Sequence, residues 1–219
     1  SFQGSVSGNI NVAGFWNEFK DQQTSVFIPA CTNAPTCAPT GINGIQNVGK
    51  SRIKGVEVDG SLTLFQDLRL DFGYTYLDAV VTGGSVPFCD NTRFICSQAA
   101  FLSAGSRLLF APKNRVTVTG TYTLPLDESI GAISVGATFT HTDKQFQTHT
   151  NDIPFALGAI PEAYGLLPAT DLLNLNLSWK SVAGSPVDVA LFATNVTNEK
   201  YRVAPAGGLP SVGAELILL

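Results

Sequence analysis

The chain has 219 residues, of which 44% are hydrophobic and 14% are charged, and its mean hydropathy is +0.18. This composition is apolar for a soluble domain of the same size, yet no stretch reaches the roughly 18 to 20 consecutive apolar residues of a membrane-spanning helix. The formal net charge of -4, with scattered Lys and Arg, excludes nucleic acid as a partner. A soluble all-β protein and a membrane β-barrel remain.

Alternation of apolar and polar side chains predicts seven strands. In residues 69–81, for example, Leu70 and Phe72 lie on one face and Arg69 and Asp71 on the other. The first and last segments alternate less regularly, and the pattern does not say whether Phe15 or Trp16 belongs to the apolar face. In chain order, the predicted strands are residues 7–20, 51–64, 69–81, 115–124, 131–140, 171–179 and 187–203.

The connections between these strands are short and long in strict succession. The short ones are residues 65–68, 125–129 and 183–186, and the long ones are residues 30–45, 84–105, 148–168 and 205 onward. Short turns at one rim and long loops at the other are typical of an outer-membrane barrel with periplasmic turns and extracellular loops. A secreted β-sandwich is the alternative, but its strands usually have about 5 to 6 residues, and residues 51–64 continue for about twice that length.

The four cysteines lie in the predicted loops, and each has a near neighbour in sequence: Cys31 with Cys37, and Cys89 with Cys96. An even number of cysteines outside the strands of a non-cytoplasmic protein predicts two loop-closing disulfides. A zinc site is the alternative, but the usual two-residue spacing within each pair is absent. We predict no catalytic residue, no metal and no cofactor.

Six charged side chains are predicted to point to the polar side of the strands. In a soluble fold they would be surface charges, whereas in a barrel they would line the lumen, where they contact polar cargo or an internal plug. They are Arg52, Glu57, Asp59, Arg69, Asp71 and Arg115.

Four segments resemble, in the expected order, the barrel of TonB-dependent outer-membrane receptors. They are NVGKSRIKGVEVDGSLTL with LRLDFGYTYLDA after a turn, LLFAPKNRVTVTGTYTL, DLLNLNLSWK, and VALFATNVTNEKY. Each motif alone is weak, but the series covers almost the whole chain. The positions that carry the resemblance are Gly55, Val56, Glu57, Pro112, Asn195 and Tyr201.

The resemblance implies an antiparallel transmembrane β-barrel of about 22 strands, plugged by an N-terminal domain. Such receptors of the Gram-negative outer membrane take up scarce nutrients, such as ferric siderophores or cobalamin. The TonB-ExbB-ExbD complex supplies the energy through the plug. The implied partners are therefore outer-membrane lipid, the plug, that complex and a small ligand such as a ferric siderophore.

We expect residues 1–219 to be the C-terminal part of such a barrel domain, with about seven to eight of its strands. The plug, its TonB-contacting box and the final strand would then lie outside this sequence. The long loops would capture the ligand, and Asp90, Arg93 and Tyr164 are candidate contacts because of their loop positions and chemistry. A passive porin-like or structural barrel and a secreted adhesive β-sandwich are the alternative functions.

Overall fold

The structure is a computed structural model that describes residues 6–29, 41–83, 89–90, 95–96, 104–105, 107–146, 166–205 and 215–218. In this part of the chain, almost all regular structure is β-strand, and one 3-10 turn spans Val182–Gly184. The strands are β1 (Val6–Pro29), β2 (Gly41–Leu64), β3 (Leu68–Gly83), β4 (Cys89–Asp90), β5 (Ile95–Cys96), β6 (Asn114–Thr123), β7 (Ala132–Thr142), β8 (Gln145–Phe146), β9 (Leu166–Leu167), β10 (Thr170–Lys180), β11 (Val189–Ala193), β12 (Tyr201–Pro205) and β13 (Glu215–Leu218).

Seven strands form one open antiparallel sheet in the order β1-β2-β3-β6-β7-β10-β11. Strands that follow each other along the chain are neighbours, and the ribbons β4-β5 and β8-β9 lie within two of the long connections. This arrangement confirms the predicted all-β fold of antiparallel strands with turns of alternating length. The open sheet corresponds to part of a barrel wall.

The first hairpin is longer than its sequence pattern suggests. β1 continues to Pro29 and β2 begins at Gly41, and the ladder pairs these two residues. The prediction of a loop over residues 30–45 was therefore too long at its C-terminal end. Residues 41–50 show no clean alternation, so pairing with β1 extends the strand where the side-chain pattern gives no signal.

The predicted strand over residues 187–203 is too long, because the structure divides it into β11 and β12. Asn195 and Asn198, which lie between the two strands, have positive φ values of 50° and 53°. This left-handed conformation is compatible with Asn and interrupts an extended strand.

The strand register sorts the side chains onto two faces, which we name the apolar face and the polar face. Trp16 shares the apolar face with Val12, since they pair with Lys54 and Val58 of β2. Phe15 lies on the polar face, where its ring covers Gly55: a Cβ at Gly55 would be 2.7 Å from Phe15 Cζ. The main members of the apolar face are Ile10, Val12, Val58, Phe72, Val118, Phe139, Leu175 and Leu177.

The polarity of the two faces is reversed at the end of the sheet that carries the long connections. There, Ala79, Val81 and Leu108 form a small buried cluster on the continuation of the polar face. The segment 107–113 lies beside β3, because Leu108 N–H donates to the carbonyl of Ala79 at 3.1 Å. The loop-end part of the wall thus has its apolar side chains on the face opposite to that of the middle part.

A charge in the middle of the apolar face tests the assignment of the two faces. Val118, which pairs with Phe72 and Phe139, is 38% exposed in the sheet. We expect Val118→Arg to destabilise the folded barrel by about 2 to 4 kcal/mol, the range for a cation at the lipid midplane. The free energy of unfolding in lipid vesicles measures this effect.

Thr117→Arg is the matched control, since Thr117 is the neighbour on the polar face. We expect it to change stability much less than Val118→Arg does. Equal losses in the two variants would contradict the assignment.

Candidate functional site

The apolar face is a continuous exposed surface in the described sheet. Val12 is 69% exposed, Ile10 53% and Leu175 43%. An apolar patch of this extent on a protein marks a membrane or protein contact. Among the described residues, no helix is long and apolar enough to cross a membrane.

Aromatic side chains with polar atoms lie at both ends of the apolar face. Trp16, Tyr74 and Tyr76 lie near the loop end, and Tyr122 and Trp179 near the short-turn end. The indole Nε1–H of Trp179 donates to the carbonyl of Ile130 at 2.8 Å. Rings at both ends of an apolar band are typical of the two membrane interfaces.

On β3, the apolar face extends from Leu68 to Tyr76, where Asp78 ends it. That length matches the roughly 9 to 11 residues with which a tilted strand crosses a bilayer. The dimensions of the face therefore agree with one membrane crossing per strand.

Polar side chains on the polar face bond to each other, both between neighbouring strands and within a strand. Asn11 Nδ2 donates to Asp59 Oδ2 at 3.0 Å, and the hydroxyls of Thr119 and Thr138 are 3.0 Å apart. Arg69 and Asp71 pair at 2.7 Å. These contacts form a wall of short polar side chains.

Five of the six predicted charges lie on this face, because Glu57, Asp59, Arg69, Asp71 and Arg115 share its register. The prediction for Arg52 is wrong. Arg52 is an even number of residues from Val56 and Val58, so it lies on the continuation of the apolar face. There its guanidinium Cζ is 5.2 Å from the centroid of the Trp16 ring.

A pocket of about 370 Å³ lies at the loop end of the polar face. Arg115 and Thr142, which face each other across β6 and β7, form part of its wall. Pro112 and Tyr201 join them, so three of the predicted positions come together here. Sequence reasoning missed Phe110, Gln145 and Arg202, which also line the pocket. Phe110 and Gln145 come from segments without a strand pattern, whereas Arg202 lies at the end of the last predicted strand.

The predicted ligand contacts Arg93 and Tyr164 lie outside the described residues, as do Cys31 and Cys37. The backbone of Asp90 belongs to the short ribbon β4-β5. In this ribbon, Cys89 and Cys96 occupy directly opposed positions.

A second polar cluster lies at the loop end of the apolar face. His141 Nδ1 is 2.7 Å from Asp171 Oδ1, and Asn114 donates to Asp143 at 2.6 Å. Tyr74 also donates to Asn114, at 2.9 Å. Burial opposes ionisation of Asp143, but hydrogen bonds from Asn114 and His141 outweigh it and lower the pKa of this carboxyl.

The side chain of Asn195 closes the turn between β11 and β12. Its Nδ2 donates to the carbonyl of Glu199 at 2.9 Å, and its Oδ1 accepts from the Glu199 N–H at 2.8 Å. The N–H of Asn195 donates to Asn174 Oδ1 at 2.8 Å, which fastens the turn to β10. These contacts give the motif residue Asn195 a structural role.

The fold, the apolar band and the polar inner surface together define a segment of an outer-membrane β-barrel. Residues 2–198 match the family model described as "TonB dependent receptor-like, beta-barrel". The chain therefore belongs to the TonB-dependent receptor family, and it lies in the Gram-negative outer membrane. A comparison with curated proteins found no match.

Several solved structures share this fold. The ferric yersiniabactin uptake receptor FyuA from Yersinia pestis has a TM-score of 0.61 at 12% identity, over 96% of this chain and 25% of that one. BauA, the ferric preacinetobactin receptor from Acinetobacter baumannii, has a TM-score of 0.56 at 16% identity, over 96% of this chain and 25% of that one. The siderophore receptor PiuA from the same species has a TM-score of 0.56 at 21% identity, over 88% of this chain and 22% of that one. The chain thus spans about a quarter of these receptors.

We predict that Asn195→Ala destabilises the barrel because it removes both side-chain hydrogen bonds to Glu199. At about 0.5 to 1.5 kcal/mol for each bond, the expected loss is about 1 to 3 kcal/mol. Denaturant unfolding in detergent measures it. Asn198→Ala is the control, since Asn198 has a similar φ value. A loss in Asn195→Ala that does not exceed the control's would contradict the proposed role of the side chain.

Proposed function

We propose that this chain is part of an active-transport receptor for a scarce nutrient, a ferric siderophore or a similar metal chelate, and that TonB drives the transport. Family membership supports transport across the outer membrane. The observation that carries the ligand class is the pocket at the loop end of the polar face, where Arg115 and Arg202 lie beside Tyr201.

In this proposal, the apolar face contacts lipid and the polar face lines the lumen. The long connections lie outside the cell, so the pocket opens toward arriving ligand. Its guanidinium groups suit a negatively charged chelate, because guanidinium donates paired hydrogen bonds to carboxylate-like oxygens. Phe110 and Tyr201 add ring faces that contact the apolar parts of a ligand.

Past the pocket, the lumen wall contains mostly Thr, Ser and Asn side chains. Their hydroxyl and amide groups already bond to each other across strands, as in the pairs Thr119 with Thr138 and Thr123 with Ser134. Such a wall offers weak polar contacts to a moving ligand. We assign the coupling to the plug and to the TonB-ExbB-ExbD complex, which belong to the whole receptor.

The structural neighbours favour uptake of a ferric chelate over the passive porin, because FyuA is a ferric yersiniabactin uptake receptor, BauA a ferric preacinetobactin receptor and PiuA a siderophore receptor. A porin remains the second candidate. The two differ in energy dependence, since uptake by a porin continues when the proton gradient is collapsed.

Arg115→Ala tests the pocket in cells that produce the whole receptor and are starved of iron. We expect uptake of an iron-55-labelled anionic ferric catecholate to fall about tenfold or more, the loss for a hydrogen bond to a charged group. Uptake of a neutral ferric hydroxamate should change less. Lys180→Ala, at the short-turn end of β10, is the charge-matched control.

Uptake that persists after a protonophore would contradict the TonB-driven proposal and favour the porin. Equal uptake of the catecholate by Arg115→Ala and the unmodified receptor would remove the pocket from the ligand path.

We also propose that Cys89 and Cys96 form a disulfide, and that Cys31 and Cys37 form a second one. Directly opposed residues of an antiparallel pair have Cα atoms about 4.5 to 5.5 Å apart, within the range that a disulfide bridges. Mass spectrometry after alkylation, with and without a reductant, should find no labelled thiol in the unreduced receptor. Labelling of Cys89 or Cys96 without reductant would contradict their pairing.

A further inference from the structure

Four cations lie at the loop end of the apolar face, where its band of apolar side chains stops. Arg52 and Lys54 precede Val56 in β2, Arg107 pairs with Val80 of β3, and Lys113 lies beside Tyr76 just before β6. We name Arg52, Lys54, Arg107 and Lys113 the cationic collar. Its members lie on the side of the sheet that contacts lipid.

Aromatic rings hold three of these cations in place. Arg52 Cζ and Lys54 Nζ are 5.2 and 5.3 Å from the centroid of the Trp16 ring. Lys113 Nζ is 5.7 Å from the centroid of Tyr76. Cations at these distances are attracted by the ring faces, and the rings belong to the aromatic residues at the membrane interface.

The four cations of the collar outnumber the two carboxylates beside Arg52 and Lys54, which are Asp78 and Glu18. Asp78 pairs with Arg52 at 3.4 Å and with Lys54 at 3.3 Å. Glu18 lies opposite Arg52 in the ladder and accepts a hydrogen bond from Trp16 Nε1 at 3.2 Å. In the described part of the chain, no carboxylate lies within 4.0 Å of the charged nitrogens of Arg107 or Lys113.

Side chains of β3 and of the segment 107–113 line a cavity of about 170 Å³. Arg107 and Lys113 flank this cavity, and Tyr76 and Asp78 form its β3 side. The cavity has room for a phosphate group, and Arg52 and Lys54 neutralise the carboxylate of Asp78 beside it.

We propose that the cationic collar binds the phosphate of a membrane-lipid headgroup, with the acyl chains of that lipid lying along the apolar face below. Two features favour a lipid over a soluble anion. The collar continues the apolar face rather than the polar face, and its aromatic rings lie at headgroup level. A Lys or Arg near an anionic membrane surface strengthens binding about fivefold.

Native mass spectrometry of the intact receptor in non-ionic detergent tests the proposal. The probes are lipid A with both phosphates, the same lipid without phosphates, and inorganic phosphate. We expect bound bisphosphorylated lipid A and little of the other two. The double variant Arg107→Gln with Lys113→Gln should bind bisphosphorylated lipid A about 25-fold more weakly, because each lost cation lowers the affinity about fivefold.

The matched control removes two cations elsewhere, Lys180→Gln with Lys200→Gln, and should retain the affinity of the unmodified receptor. Asp78→Asn keeps every cation and should strengthen lipid binding, since it removes the competing carboxylate. This variant keeps the proposal testable if the double variant does not fold.

Equal binding of lipid A without phosphates, or unchanged affinity in Arg107→Gln with Lys113→Gln, would overturn the proposal. Displacement of the lipid by millimolar inorganic phosphate would assign the cavity to a soluble anion instead. A failure of this test leaves the proposed transport function intact, because the collar and the ligand pocket lie on opposite faces.

Discussion

The requirement that every backbone amide be hydrogen-bonded in hydrocarbon governs the rest of this structure. A strand that crosses a bilayer must pair along its whole length on both sides, since no water is present to replace a missing partner. From β1 to β11, the antiparallel ladder supplies these bonds strand by strand. Once the ladder is continuous, its register decides which side chains contact lipid and which do not, because a shift of one residue would exchange the two faces.

The same register also serves a second environment without any break in the strands. Along β3, the side chains on one side are Phe72, Tyr74 and Tyr76, and then Asp78. The other side changes in the opposite sense, from Asp71 and Gly73 to the buried Ala79 and Val81. Beyond the bilayer, water surrounds the outside of the wall, so the apolar side chains there pack beneath the loop segment that contains Leu108. The point of reversal marks where lipid ends.

The part of the fold that depends on alternation was predictable from the sequence. Strands such as residues 69–81 and 171–179 repeat apolar side chains at every second position, so β3 and β10 were expected within two residues at their ends. The same alternation predicted that Glu57 and Arg115 lie on the polar face, where the structure places them. Arg52 lies on the other face, because its even spacing from Val56, and not its charge, determines its side of the sheet.

The remaining features depend on contacts that no local pattern encodes. The pocket combines Arg115 of β6 with Phe110, Gln145 and Arg202 from three other segments, and only the folded chain brings them together. β11 ends before Asn195, whose side-chain amide forms hydrogen bonds with the backbone carbonyl and N–H of Glu199. From the sequence alone, Asn195 is equally compatible with a position inside a strand.

The length of the β1-β2 hairpin has a geometric consequence. From Trp16 and Lys54 the ladder continues to Pro29 and Gly41, a distance of about 40 Å at the usual rise per residue. The register shifts between Phe19 and Gln23, just beyond the collar, and such irregularities bend and twist a strand pair. The hairpin therefore projects beyond the membrane surface, and the register shifts set its direction relative to the part of the wall that lies in lipid.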